Sequence, residues 1–203
     1  MNVLRVMVLF GALISTIYCE IALAQSVSSP AGGGAPRTIA EKTVDILPQE
    51  PLYWSVKSFA SIELAQKFAG EFSLAAESDG KAWLFTLGPK VQSTKDGAIA
   101  IEAGPITPPQ ASRFLLRVSE SITSPGRVTP VHTHPGSEAF YVLKGEVEYK
   151  TAKQTYKVTA GNASAGPPPN TVMQATTTGT DSAHNLIMFV LDAAKPAQAP
   201  AAF

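Results

Sequence analysis

Cysteine is nearly missing from this sequence of 203 residues, since Cys19 is the only one. It lies in an N-terminal segment that we expect to be removed, so the mature chain would carry no thiol. That excludes an internal disulfide, a cysteine nucleophile and a thiolate metal site. Histidine is also scarce, because the whole chain has three: His132, His134 and His184.

Charge is low and balanced as well. The chain has 16 Lys and Arg against 16 Asp and Glu, and charged residues make up 16% of it, below the usual quarter. With no net charge and no basic run, we expect no binding to nucleic acid. Gly and Pro number 15 and 16, which disfavours a helical bundle and favours short strands joined by turns.

The first 24 residues have the pattern of an export signal. Arg5 is the only cation there, an apolar stretch follows over 6–17, and Ala22-Leu23-Ala24 supplies the small residues of a cleavage site. An uncleaved anchor is the alternative, but the apolar stretch is shorter than the roughly 20 residues that span a bilayer. We predict a signal peptide over 1–24, export to the periplasm or the medium, and no stable membrane span after cleavage.

Composition divides the rest of the chain. Residues 25–36 are rich in Ser, Gly, Ala and Pro and predict a flexible linker, while 192–203 predict a disordered tail. Between them we assign 37–104 to an N-terminal extension that packs on a β-barrel formed by 105–191. The even spacing of glycine turns beyond residue 126 favours a closed barrel or a two-sheet sandwich.

Local signals place several elements. Residues 61–69 predict a short helix with Ser61 as its N-cap, and Ser78-Asp79-Gly80 predicts a hairpin turn. A strand is expected over 98–103, and 139–150 predict a second hairpin. Arg113 and Arg117 stand four apart on a strand candidate, hence on one face, where they meet either solvent or an anionic ligand.

His132 and His134 stand two residues apart. On an extended strand, side chains at i and i+2 project from the same face, so the two imidazoles can converge. Glu138 adds a carboxylate four residues after His134. Two imidazoles and one carboxylate suit a divalent transition metal and leave coordination positions for water, oxygen or substrate. For the pair alone, two surface histidines in a loop are the alternative.

The stretch from Gly126 to Gly145, GRVTPVHTHPGSEAFYVLKG, resembles the first motif of the cupin superfamily. That motif has Gly, five residues, H-x-H, three or four residues, Glu, six residues and Gly, and every spacing fits. A second motif is similar but divergent: it opens at Gly161-Asn162, and Pro167 to Asn170 resemble its turn. Its usual third histidine is replaced by Met173, or by Val172 in a stricter alignment. The resemblance covers about Arg113 to Leu191.

The resemblance implies a mainly β protein, a cupin-type antiparallel jelly-roll β-barrel, here with a short N-terminal helix and an extra hairpin. It implies a divalent transition metal (Fe, Mn, Ni, Zn or Cu) held by His132, His134 and Glu138, with Glu138 also a candidate catalytic base. Met173 is a fourth, thioether ligand, or an apolar lining residue beside a three-ligand metal, or the mark of a site without metal. These three alternatives stay open.

Other side chains are assigned by their position relative to this motif. Phe140 and Val142 share the parity of Glu138 and should line the barrel interior as pocket residues. Gln174 follows Met173 and is either a polar pocket group or a surface residue. His184 begins the last strand and either replaces the missing imidazole or lies on the rim after a turn.

Two functions from different classes follow. The first is an exported cupin that acts on a small organic molecule, most compatibly by oxygen-dependent, dioxygenase-like oxidation. The second is a non-catalytic small-ligand-binding or structural module with a weak or absent metal site. The resemblance also makes a homodimer the default expectation. Whether the chain is an enzyme stays open at this point.

Overall fold

The computed structural model describes residues 35–91 and 101–203. Within these ranges the strand pairings are antiparallel. The predicted signal over 1–24, most of the linker over 25–36 and the first part of the strand expected at 98–103 lie outside the described residues. In chain order the elements are β1 (Arg37–Val44), β2 (Leu52–Phe59), α1 (Ile62–Lys67), β3 (Ser73–Ser78), β4 (Lys81–Gly88), β5 (Ile101–Ile106), β6 (Phe114–Thr123), β7 (His132–Thr133), β8 (Gly136–Lys144), β9 (Glu146–Thr151), β10 (Thr155–Thr159), β11 (Ala163–Ala165), β12 (Met173–Thr178), β13 (Ala183–Asp192) and β14 (Ala199–Pro200).

A four-stranded N-terminal sheet has the order β3-β4-β2-β5. The predicted helix is confirmed as α1, and Ser61 is its N-cap: its Oγ accepts a hydrogen bond from the Leu64 amide at 3.3 Å, which satisfies one free donor of the first turn. The predicted hairpin joins β3 to β4. Asp79 and Gly80 both have positive φ, 52° and 69°, as a two-residue turn of this kind requires. No helix in the described part of the chain is long and apolar enough to cross a membrane.

Two five-stranded sheets complete the fold: a central sheet, β1-β6-β13-β8-β11, and an outer sheet, β10-β9-β12-β7-β14. The expected mainly β, antiparallel jelly-roll architecture is confirmed. The hairpin expected over 139–150 is wrong, because β8 belongs to the central sheet and β9 to the outer sheet. The turn at Gly145 therefore carries the chain from one sheet to the other. Its φ is 69°, and a Cβ there would lie 2.7 Å from the Ser182 carbonyl oxygen.

The central sheet is covered on both faces. On β13, Leu186, Met188 and Val190 pack in one core with residues of the N-terminal sheet such as Trp54. The residues between them face a cavity that separates the central sheet from the outer sheet. A strand buried on both faces gives a near-continuous apolar run, which is the pattern of 186–191. β1 comes from the segment assigned to the N-terminal extension, yet it pairs with β6 at the edge of the central sheet.

Candidate metal and ligand site

A cavity of about 450 Å³ lies between the central and outer sheets. Phe140 of β8 stacks on Tyr149 of β9 with ring centroids 3.8 Å apart, so aromatic packing joins the two sheets along one wall. Thr123 of β6 and Thr177 of β12 form a hydrogen bond of 2.5 Å between their hydroxyl groups, which ties the sheets together elsewhere. Two sheets held apart in this way leave room for a small organic molecule.

His132 and His134 line this cavity, as their two-residue spacing predicts. β7 holds His132, and His134 follows that strand directly. Both side chains are buried, with 7% and 8% of their surface exposed. Their ring centroids are 4.9 Å apart and the ring planes are nearly perpendicular, at 82°. The structure therefore brings the two imidazoles together on one face.

Backbone carbonyl groups fix the orientation and the tautomer of both rings. Nδ1 of His132 lies 2.7 Å from the Pro130 carbonyl oxygen, and Nδ1 of His134 lies 2.7 Å from the Ala197 carbonyl oxygen. A carbonyl oxygen only accepts, so each Nδ1 carries the hydrogen and donates it. In the neutral ring, Nε2 then keeps its lone pair. Burial lowers the pKa of His134 to about 4, although the bond to Ala197 opposes this shift.

Glu138 lies on β8 at the same end of the cavity and is buried. Its Oε2 is 3.8 Å from Nε2 of His134, and its Oε1 has no hydrogen-bond partner among the described residues. Gly166 packs directly over this side chain, because a Cβ at Gly166 would lie 2.5 Å from the Glu138 Cγ. Burial raises the pKa of Glu138 to about 8. Without a cation nearby, the carboxyl group therefore holds a proton at neutral pH.

Met173 opens β12 and pairs with His132 in register. Its side chain is buried and lines the cavity beside the imidazoles. This position is compatible with a thioether ligand and with an apolar lining residue, two of the alternatives that the sequence left open. The neighbouring core between the sheets is apolar, which suits either role.

The C-terminal segment is ordered, contrary to the disordered tail expected over 192–203. β14 pairs with β7 through Ala199 opposite Thr133, and the Ala201 amide donates to the Val131 carbonyl oxygen at 3.1 Å. The segment also supplies the Ala197 carbonyl oxygen to His134. Its order comes from backbone pairing with the edge of the outer sheet, which needs no apolar side chains.

The three sequence-predicted pocket residues have different positions. Phe140 lines the cavity, while Val142 is fully buried in the adjoining core and does not reach the cavity wall. Gln174 does not line the cavity; its Nε2 donates to the Thr129 carbonyl oxygen at 2.9 Å. Because Met173 faces the cavity, its neighbour on the strand must face away. The pocket assignment of Gln174 is therefore wrong.

His184 is neither a substitute ligand nor an exposed rim residue. Only 7% of its surface is exposed, and it does not line the cavity. Its Nε2 lies 2.9 Å from Glu120 Oε1 and 3.2 Å from Ser78 Oγ. Arg37 binds the other oxygen of Glu120 at 2.6 Å. His184 and Ser78 are buried and Arg37 is exposed, and the cluster that they form with Glu120 joins the N-terminal sheet to the central sheet.

Whether a metal fits depends on the donor set. Within residues 35–91 and 101–203, no group of three or more His, Cys, Asp or Glu side chains is spaced so that it could hold a metal ion. The cavity nevertheless has three suitable donors at one end. They are two imidazoles whose Nε2 carries no hydrogen and one carboxyl oxygen that has no hydrogen-bond partner among the described residues. A divalent transition metal takes these donors, and metal-bound histidines typically donate their other N–H to a carbonyl or carboxylate, as both do here. The donor types present therefore match such an ion, although their spacing in this structure does not form a site.

Sequence reasoning missed two groups of this site, the Ala197 carbonyl group and Asn185, and left the surroundings of Arg117 open between two alternatives. The Ala197 contribution is a backbone carbonyl group, which carries no side-chain signal. Arg117 was assigned either to solvent or to an anion, and the structure places it on the cavity wall. Asn185 reaches across the cavity, where its Nδ2 donates to the Tyr149 hydroxyl at 2.7 Å. A polar residue within an apolar strand is the one signal that marks Asn185 in the sequence.

Comparison with known proteins gives one family match. Residues 120–188 match the family model described as a cupin domain. No curated protein matches the sequence. The matched segment contains both cavity histidines, Glu138 and Met173.

Three solved structures illustrate the similarity. In each of them, the part that matches this chain is less than two thirds of the solved protein's length. One is a cupin 2 domain-containing protein from Halorhodospira halophila, at 16% identity and TM-score 0.38, covering 43% of this chain and 59% of that one. A cupin-like protein from Thermotoga maritima has 21% identity and TM-score 0.37, covering 42% and 64%. An oxalate oxidase in complex with the substrate analogue glycolate has 22% identity and TM-score 0.35, covering 41% and 45%.

Proposed function

We propose that this chain, whose residues 120–188 match the cupin-domain family model, binds one divalent transition metal through His132, His134 and Glu138. One observation carries the proposal. Two imidazoles, each held by a backbone carbonyl so that Nε2 is free of hydrogen, share a cavity end with a buried carboxyl oxygen that lacks a partner. Unpartnered buried polar groups are costly and call for a functional explanation.

The chain's own residues have distinct tasks in this proposal. The Pro130 and Ala197 carbonyl groups hold the two rings, so the ligand nitrogens are positioned before the ion arrives. Glu138 gives up its proton and supplies the negative charge. The bound ion would supply Lewis acidity and open coordination positions for a small molecule and for oxygen. Phe140 and Phe189 make the cavity wall beside that position apolar.

We propose oxygen-dependent oxidation of a small organic molecule as the reaction class, because two histidines and one carboxylate leave coordination positions open. Non-catalytic capture of a ligand is the second candidate, and Met173 favours it. A thioether beside the imidazoles is a weak and neutral donor, so this site would hold its ion less firmly than one with a third imidazole. Oxygen uptake by the metal-loaded protein with candidate ligands separates the two functions.

Metal titration tests the site itself. We expect the protein to bind one Co²⁺ per chain, with the visible absorption of a coordinated ion, and His134→Gln to lose it. His184→Gln is the matched control, because this histidine is equally buried but lies outside the cavity. Retention of Co²⁺ by H134Q, or equal loss in H184Q, would contradict the proposal.

Export and self-association are further parts of the proposal. We propose that residues 1–24 direct the chain out of the cytoplasm and that the mature protein is a homodimer. Sequencing the N-terminus of protein recovered from the native host should give Gln25 first, and light scattering should give twice the mass of one chain. An intact N-terminus at Met1, or a monomer, would contradict the respective part.

A further inference from the structure

The charged side chains of the cavity wall are unusually few. Apart from the two histidines, the wall carries Glu138 and two cations, Arg117 and Arg127. Most of the remaining wall is apolar or bears only hydroxyl groups. Glu138 lies at the proposed metal end, so the two arginines are the charged residues that line the rest of the cavity.

Arg117 lies in the same row of the central sheet as Glu138. On β13, Phe189 pairs with Arg117 of β6 on one side and with Glu138 of β8 on the other. Two strand spacings put the backbones of the two charged residues roughly 10 Å apart. A molecule that touches both would be about the size of a substituted benzene ring, which the cavity of about 450 Å³ can hold.

The guanidinium group of Arg117 is only partly engaged. Its Nε donates to Glu41 Oε2 at 2.8 Å, and the side chain of Glu41 is 47% exposed. An arginine has five N–H donors in a planar fork, so this bond leaves the terminal nitrogens available. An exposed ion pair of this kind is weak and leaves the fork able to bind a second anion.

Arg127 stands on the outer-sheet side of the same cavity. The Thr177 amide donates to the Arg127 carbonyl oxygen at 2.9 Å, which continues the outer sheet along this segment. Directly opposed residues of antiparallel strands share a face, and Thr177 faces the cavity. Arg127 is exposed and makes no ion pair within residues 35–91 and 101–203. Exposed wall residues mark the mouth, so Arg127 lies there.

From this arrangement we infer that the ligand is an organic anion with an apolar body, whose oxyanion binds Arg117 after entering past Arg127. A planar guanidinium group matches a carboxylate with two parallel hydrogen bonds. The apolar body would rest on Phe189, which lies between Arg117 and Glu138 in their row, and on Phe140 and Ile187, which pair in the next row that faces the cavity. This inference rests on the proposed function for the end that faces His132 and His134. The anion site itself needs no metal.

Matched ligands test the inference in chelator-treated, metal-free protein. We expect 3-phenylpropanoate to bind about tenfold more tightly than the neutral 3-phenylpropanamide, measured by titration calorimetry or ligand-observed NMR. 2-Phenylethyl phosphate tests which oxyanion the site prefers. If the phosphate binds more tightly than 3-phenylpropanoate, the natural ligand is assigned a phosphate group in place of a carboxylate. Equal affinities of acid and amide, or no binding of the acid at millimolar concentration, would overturn the inference.

Variants localise the effect. Arg117→Gln should remove the preference for the acid while keeping the affinity for the amide, and Arg117→Lys should restore part of it. Arg113→Gln is the matched control: it removes a cation just before the same strand, where Arg113 binds Asp45 at 2.9 Å and does not line the cavity. Glu41→Gln should keep or increase acid binding. Equal losses in R113Q and R117Q would show a general charge effect and refute a specific site.

The two proposals fail separately. A protein that binds Co²⁺ but not the acid retains the metal site and loses the anion site. A protein that prefers the acid but takes no Co²⁺ retains the anion site and loses the metal-dependent function.

Discussion

Replacing Glu138 with glutamine tests the environment of the carboxyl group that we place at the metal site. Burial raises the pKa of Glu138 from its ordinary value of 4.5 to about 8. The ionised form would have lost its water, and one carboxyl oxygen has no hydrogen-bond partner among the described residues. Glutamine has nearly the same size and no ionisable proton, so it removes the titration with little change in packing.

The sign of the effect follows from the direction of the shift. Between pH 4.5 and about 8 the folded state holds a proton that the unfolded chain has released. The stability contributed by the protonated carboxyl group is therefore fully present below pH 4.5 and is lost as pH rises toward 8. Each pH unit in this window costs about 1.4 kcal/mol. The loss is roughly 5 kcal/mol over the whole window, and about 3 kcal/mol between about pH 5.5 and 7.5.

His134 also titrates, and the variant separates its contribution. Burial lowers the pKa of His134 from 6.5 to about 4, so this residue alone makes stability rise with pH between those values. The E138Q variant keeps His134. The difference in unfolding free energy between E138Q and the wild type therefore isolates the carboxyl group.

Urea unfolding in excess chelator measures this difference at several pH values. Trp54 and Trp83 are 0% and 4% exposed, so their fluorescence reports unfolding, and extrapolation to zero urea gives the free energy. We expect E138Q to gain about 3 kcal/mol on the wild type from about pH 5.5 to 7.5. Glu71→Gln, at an exposed glutamate, should show no such gain. Parallel curves for E138Q and the wild type would refute the argument from burial.

Three further predictions concern the surroundings of the site. Deleting residues 196–203 removes the Ala197 carbonyl group from His134 and should lower Co²⁺ affinity at least about tenfold, with β-rich circular dichroism retained; unchanged affinity contradicts this role. Met173→His should strengthen Co²⁺ binding by about tenfold, since imidazole is a better ligand than a thioether; no change would place Met173 outside ligand range. Burial alone would raise the pKa of Glu120, but hydrogen bonds from Ser78, Arg37 and His184 lower it below 4.5. The stabilisation that the ionised carboxylate contributes is therefore present above pH 4.5 and is lost in acid. Acid unfolding should therefore be steeper in the wild type than in Glu120→Gln, and identical acid limbs would contradict this.

Sequence reasoning succeeds where a short-range rule controls the geometry. His132 and His134 converge because residues i and i+2 of an extended segment share a face. Ser61 caps α1, and the turn at Asp79 and Gly80 closes a hairpin, since both depend on residues within a few positions. Such features need no knowledge of which strands become neighbours.

Features that depend on strand pairing were not predictable in the same way. Residues 192–203 carry no apolar periodicity, so composition indicated a disordered tail. The segment is ordered by backbone hydrogen bonds to β7, and backbone groups are the same in every sequence. Gln174 shows the same limit, because Met173 and Gln174 are adjacent and the register with His132 decides which of them faces the cavity.

The central sheet is covered on both faces, and this explains how a chain with few charged residues can place some of them in the cavity. On β6, Leu116 and Val118 join the core shared with the N-terminal sheet, while Arg117 and Ser119, which alternate with them, face the cavity. The N-terminal sheet supplies the apolar partner for one face, so the other face is free to carry polar groups without loss of the core. The buried Glu138 on that face lies in a low-dielectric wall, where a carboxylate acts more strongly than it would in water. A chain with few charges can thus concentrate its chemistry in the row that runs from Arg117 through Phe189 to Glu138.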